Sequence, residues 1–219
     1  MEDWILRNNT QQDWISLVFL FNFILLTFIA SSNKSEFKLF IRFFDSALYF
    51  KIYGKEKTRL HSFTVIGTFF LIINFSLVLF YILNFLKSTP SSFNYFLNLS
   101  SSLLAIIIVR FIVENSVFKL LEINKLTEPF QFKSLSHQIQ ISILSFFLFL
   151  FYQYAFPFSK FFYATLTTIL ILYIMSQVSL YQEYWNKFKS NLLYLILYLC
   201  IFKLAPWIML FSTLNIGQS

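Results

Sequence analysis

Cysteine, glycine and charged residues are all scarce in this sequence of 219 residues. The one cysteine, Cys200, leaves no partner for an internal disulfide, a CxxC redox pair or a cysteine zinc site. The three glycines, Gly54, Gly67 and Gly217, are too far apart to form a glycine-rich phosphate-binding loop. Charged residues make up 12% of the chain, against roughly 25% in a soluble domain, so the chain has too little polar surface to coat a globule in water.

The constellations of known catalytic sites are also missing. The sequence has no HExxH motif, no ordered Ser, His and Asp set, and no Asp-rich magnesium motif, and its ten acidic residues are scattered. His61 and His137 have no carboxylate pair or cysteine near them in sequence, which favours interfacial side chains over metal ligands. We therefore predict no catalytic, cofactor-binding or metal-binding residues, and we expect a protein that is not an enzyme.

Long apolar runs are what the sequence does have, with 58% hydrophobic residues and a mean hydropathy of +0.67. A helix needs about 20 mostly apolar residues to cross the hydrocarbon of a bilayer. Such runs predict an all-α integral membrane protein with a single membrane domain over residues 1–219. Its six predicted transmembrane helices cover residues 14–30, 63–86, 95–121, 139–158, 161–181 and 192–214.

Prolines give further local predictions. Glu128-Pro129 predicts a break before the fourth span, since the residue before a proline is disfavoured in a helix. Pro157 predicts a tight turn between the fourth and fifth spans, and Pro206 predicts a kink in the sixth.

The basic residues are distributed unevenly about the predicted membrane. Twelve of the 17 Lys and Arg residues lie on the side of the three longer connections, and three lie on the other side. The positive-inside rule then places these connections in the cytoplasm and both termini in the periplasm. The net charge of +7 thus indicates contact with anionic phospholipid at the cytoplasmic face, and not with nucleic acid.

The first cytoplasmic connection contains an amphipathic pattern over residues 35–53. Apolar and basic residues recur there at steps of three and four, which predicts a helix lying in the headgroup layer. Two interpretations are open: a helix that covers the bundle at the membrane surface, or a docking surface for a partner. The residues that define the two faces are Phe37, Ile41, Phe44 and Leu48 on one and Lys38 and Arg42 on the other.

Two cations, Arg110 and Lys203, fall deep within predicted spans, where a charge costs about 2.5–3.5 kcal/mol or more. Glu114 follows Arg110 by four residues, so the two side chains share one helix face. Three interpretations are open for these charges: a structural ion pair, a contact with a partner protein or lipid, or a transport site. Five uncharged polar residues are expected to form hydrogen bonds between helices: Asn22, Asn74, Asn84, Gln153 and Gln177.

Two segments resemble an integral membrane protein family from Bacteroidota, catalogued as domain of unknown function 4271. One segment is the apolar run from Asn191 that ends in Leu197-Tyr198-Leu199-Cys200 and is followed by Lys203 and Pro206. The other is Arg7-Asn8 with Asp13-Trp14 at the entry to the first span. The resemblance implies the inner membrane of a Gram-negative cell, and it implies no established activity.

The missing catalytic motifs and the intramembrane cations together predict a non-enzymatic subunit of a multiprotein inner-membrane complex. Its partners would be other inner-membrane proteins, in protein export, gliding or envelope assembly. The alternative is a small-molecule or lipid transporter, or a substrate-binding membrane component. Transporters usually contain several Gly/Pro-interrupted helices near the midplane, and only Pro206 meets that requirement here.

Overall fold

The described residues form six α-helices. A computed structural model describes residues 13–32, 34–41, 49–50, 62–87, 92–120 and 124–188. In chain order the helices are α1 (Asp13–Ser32), α2 (Lys34–Phe40), α3 (Ser62–Lys87), α4 (Phe93–Leu120), α5 (Asn124–Tyr154) and α6 (Ser159–Phe188). No β-strand occurs in these ranges.

Every helix except α2 is long and apolar enough to cross a membrane. This confirms the prediction of an all-helical, multi-pass membrane protein by the length and composition of its helices. Such helices satisfy their backbone hydrogen bonds internally, which is the condition for crossing hydrocarbon. The sixth predicted span, with Lys203 and Pro206, lies outside the described residues.

The packing centre is α3, which contacts α1, α4 and α5, while α6 packs against α5. Trp14, near the start of α1, meets Phe80, near the end of α3, so these two helices are antiparallel. α3 and α5 are parallel, because Gly67 approaches Ile139 at one end and Tyr81 bonds to Gln153 at the other.

Aromatic rings fill much of the space between these helices. Phe146 of α5 contacts Phe19 of α1 and Phe70 of α3, with ring centroids 5.8 Å apart in both pairs. Tyr81 stacks on Phe149 at 5.4 Å. Edge-to-face and offset contacts of this kind add packing energy beyond the area they bury. Aromatic side chains therefore fill much of the interior of the bundle and also lie on its surface.

The prediction of a break at Pro129 was wrong. α5 begins at Asn124, continues through Pro129 and ends at Tyr154, whereas the predicted span runs from 139 to 158. The fixed φ of proline fits a helix, and its missing N–H removes one bond, to the carbonyl of Lys125 near the helix start. Pro129 lies beyond the first turn of α5, whose N–H groups lack intrahelical acceptors, so this bond is lost and the helix continues without it.

The turn predicted at Pro157 is confirmed. The N–H of Phe158 donates to the carbonyl of Phe156 at 2.8 Å, which closes a three-residue turn around the proline. The carbonyl of Phe158 then accepts from the N–H groups of Phe161 and Phe162 at 3.0 and 3.1 Å. These bonds start α6 and make α5 and α6 an antiparallel helical hairpin.

Candidate functional site

The charged pair of α4 lies on the inner face of that helix. Nε of Arg110 donates to Oε1 of Glu114 at 2.8 Å, as the four-residue spacing predicts. The Glu114 side chain is 1% exposed and that of Arg110 is 31% exposed. Both residues share their helix face with buried Phe96 and Leu103.

The carboxylate of Glu114 therefore faces the interior of the bundle, while the guanidinium of Arg110 lies partly at its surface. Lys203 lies outside the described residues, so its position relative to this pair stays a prediction.

The described part of the predicted amphipathic segment is α2, followed by a turn at Ile41. Phe37 is half-buried, while Lys38 and Ile41 are exposed. The residues Arg42, Phe44 and Leu48 lie outside the described part. The longer amphipathic helix therefore remains a prediction.

A buried polar contact attaches this segment to the bundle. Glu36 is fully buried and accepts a hydrogen bond from the hydroxyl of Tyr49 at 3.2 Å. Nε2 of Gln140 on α5 donates to the carbonyl of Phe40 at 2.6 Å, and Oε1 of Gln140 lies 3.2 Å from Nδ1 of His137. Sequence reasoning missed this cluster, because the burial of its polar side chains depends on which segments become neighbours in the fold.

Charged groups surround the same cluster. Lys133 pairs with Glu183 of α6, and its ammonium also lies 4.7 Å from the centroid of the Phe50 ring. His137 contacts the same ring, with centroids 5.2 Å apart. These contacts therefore connect the segment that follows α1 to α5 and α6, and they indicate a structural role for the cluster.

Asparagine and serine form the polar contact between α3 and α5. Nδ2 of Asn74 lies 2.7 Å from the Ser142 carbonyl, 3.1 Å from Ser142 Oγ and 2.6 Å from Ser145 Oγ. Farther along, the Tyr81 hydroxyl donates to Oε1 of Gln153 at 2.6 Å. The expectation of interhelical hydrogen bonds is thus confirmed for Asn74 and Gln153.

A second polar set lies on the outer surface of α4, in the half that begins at Phe93. We call it the α4 polar face; all of its residues are exposed and recur at helical spacing. The hydroxyls of Ser101 and Ser102 donate to the carbonyl of Asn98 at 2.9 and 2.8 Å, within their own helix. The members of this face are Asn94, Asn98, Ser101, Ser102 and Ala105.

These features define an all-helical, multi-pass membrane protein with polar groups at several depths along its helices. Within the described ranges, no group of His, Cys, Asp and Glu side chains could hold a metal ion. The chain matches the family model described as Domain of unknown function (DUF4271) over residues 15–214, and it belongs to that family. Neither a curated protein nor a solved structure matches the chain.

Proposed function

We propose that this protein is a non-enzymatic subunit of a membrane-protein complex, and that another transmembrane helix packs on the α4 polar face. The observation that carries the proposal is the exposure of Asn and Ser side chains on a helix of membrane-spanning length. The candidate span of α4 covers Phe93–Glu114, and 17% of its most apolar window is buried inside the chain.

The position of these residues matters. Asn98 lies five residues from Phe93, which is about 8 Å along the helix axis and within the hydrocarbon of a bilayer. Lipid tails offer an amide no hydrogen-bond partner, whereas a neighbouring helix does. Small and polar residues are also the residue types enriched where transmembrane helices approach closely. A partner helix would remove the exposed amides from lipid and use Ala105 and the serines for close contact.

The setting we propose for this complex is the inner membrane of a Gram-negative bacterium of the Bacteroidota. The uneven distribution of basic residues supports periplasmic termini and an anionic phospholipid contact at the cytoplasmic face. The processes that we propose for this complex are protein export, gliding or envelope assembly. The partners would be other inner-membrane proteins.

The test is a native purification with a tag after Ser219, in mild detergent, with co-purifying proteins identified by mass spectrometry. We expect stoichiometric membrane-protein partners, and we expect Ala105→Phe to release them while the chain itself stays folded. The matched control is Leu170→Phe, because Leu170 is an exposed apolar residue on a different helix, α6. A clean monomer or homodimer from the wild-type chain would contradict the proposal and favour the transporter alternative.

A further inference from the structure

Within the part of the chain that the structure describes, two asparagines in the interior of the bundle have polar atoms without hydrogen-bond partners. Asn22 of α1 is 0% exposed, and neither its Oδ1 nor its Nδ2 is bonded. Asn74 of α3 is 1% exposed, and its Oδ1 is likewise unbonded. Buried polar side chains in native proteins nearly always have a partner, which is either protein or ordered water.

The orientation of the Asn74 amide is determined by its neighbours. Its nitrogen lies 2.7 Å from the carbonyl oxygen of Ser142, and an amide oxygen in that place would oppose another acceptor. The nitrogen therefore faces α5, and Oδ1 points away from the Ser142 carbonyl. An acceptor is thus left buried on α3, the helix against which α1 also packs.

The two asparagines lie at nearly the same depth. Trp14 and Phe80 are neighbours, with ring centroids 5.1 Å apart, on antiparallel helices. Asn22 lies eight residues beyond Trp14, and Asn74 lies six residues before Phe80, so their depths differ by about 3 Å. Phe146 contacts Phe19, which lies within one turn of Asn22, and Phe70, which lies within one turn of Asn74. Its aromatic ring therefore lies beside the region of the two asparagines.

We propose that a buried water site lies between α1 and α3, where at least one water molecule bridges Asn22 and Oδ1 of Asn74. A buried water needs two to four polar partners, and the two amides supply both a donor and acceptors. A metal cation would need a fuller oxygen shell and a compensating negative charge, which these two neutral amides do not supply. This inference is independent of the proposed complex.

The first test is solid-state NMR of the full chain in lipid nanodiscs, with the asparagine side-chain amides labelled with ¹⁵N. The variants Asn22→Leu and Asn74→Leu assign the two signals. We expect magnetisation from water to reach the Asn22 amide sooner than the backbone amides of Phe19 and Leu26 in the same helix. We also expect Asn22→Leu to remove the water contact of Asn74.

Two NMR outcomes would overturn the site. The first is transfer to the Asn22 amide no faster than to the neighbouring backbone amides, which would indicate a dry pair. The second is a shift of the asparagine signals when Na⁺ and K⁺ are replaced by choline, which would indicate a cation. Unchanged signals in the choline buffer together with rapid transfer support water.

The stability of Asn22→Leu gives a second readout, because leucine has the same number of heavy atoms as asparagine. If the site is hydrated, the substitution leaves Oδ1 of Asn74 buried without its water, and the thermal unfolding midpoint falls. If no water contacts Asn22, the substitution removes two unbonded polar atoms, and the thermal unfolding midpoint rises or stays unchanged. If this variant fails to fold, the wild-type NMR experiment still decides.

Discussion

Asparagine and serine occur in two regions of this bundle, the contact between α3 and α5 and the α4 polar face, in opposite surroundings. In each of the candidate spans of α3 and α5, 50% of the most apolar window is buried, against 17% for α4. Asn74 bonds across to a serine backbone and side chains on the neighbouring helix. On the α4 polar face, Ser101 and Ser102 bond within their own helix, to the carbonyl of Asn98.

This difference shows that the hydrogen-bond partners of the polar residues on a membrane helix depend on what lies beside that helix. Where a partner helix belongs to the same chain, the polar atoms find each other across the contact. On the α4 polar face, where we propose that another protein packs, the same residue types lie at the surface, and the serines bond to the Asn98 carbonyl of their own helix. The inner face of α4 carries a charge pair formed within the helix, and its outer face carries exposed amides.

The largest expected effect comes from the charge pair on the inner face of α4. Arg110→Met removes the cation but keeps the apolar stem, and leaves Glu114 buried without its Arg110 contact. We expect the free energy of unfolding to fall by about 2–4 kcal/mol, since breaking one side of a buried pair is costly. The measurement is steric-trap unfolding of the isolated chain in bicelles.

A matched double variant separates a structural pair from a partner contact. Adding Glu114→Gln to Arg110→Met should recover much of the lost stability, because no buried carboxylate then remains in the pair. An isolated Arg110→Met chain as stable as wild type, but with its partners lost in the native purification, would assign the cation to another protein.

The next effect compares the two polar regions directly. Asn74→Leu removes the hydrogen bonds of Asn74 to Ser142 and Ser145 on α5, and we expect a loss of about 1–2 kcal/mol in unfolding free energy. Asn98→Leu should change the isolated chain by less than about 0.5 kcal/mol, because its side chain is exposed. Equal losses in both variants would show that the α4 polar face is covered within the chain itself.

Composition and run length were sufficient to predict the fold class and the five described helices of membrane-spanning length. The four-residue spacing of Arg110 and Glu114 was sufficient to place both on one helix face, but it left open whether they pair with each other, with a partner or with lipid. Sequence reasoning failed at Pro129, because a proline removes one backbone bond of a helix but does not by itself determine where the helix begins. It also missed Glu36 and Gln140, since their burial depends on which helices become neighbours, and a single sequence does not show that. The same reason separates Asn74 from Asn98, which look alike in the sequence.

The smallest effect tests how closely α3 and α5 approach. A Cβ at Gly67 would lie 2.8 Å from Cδ1 of Ile139, and Ile139 is itself buried. Gly67→Ala therefore trades a gain in helix propensity of up to about 1 kcal/mol against steric overlap that commonly costs about 1–3 kcal/mol. We expect a net loss of about 1 kcal/mol in the unfolding free energy, measured as for Arg110→Met. In an Ile139→Val background, which lacks Cδ1 but keeps Cγ2 at 3.3 Å from the added Cβ, the loss caused by the same substitution should become smaller. A loss of equal size in both backgrounds would show that contact with Cδ1 does not limit the approach of these two helices.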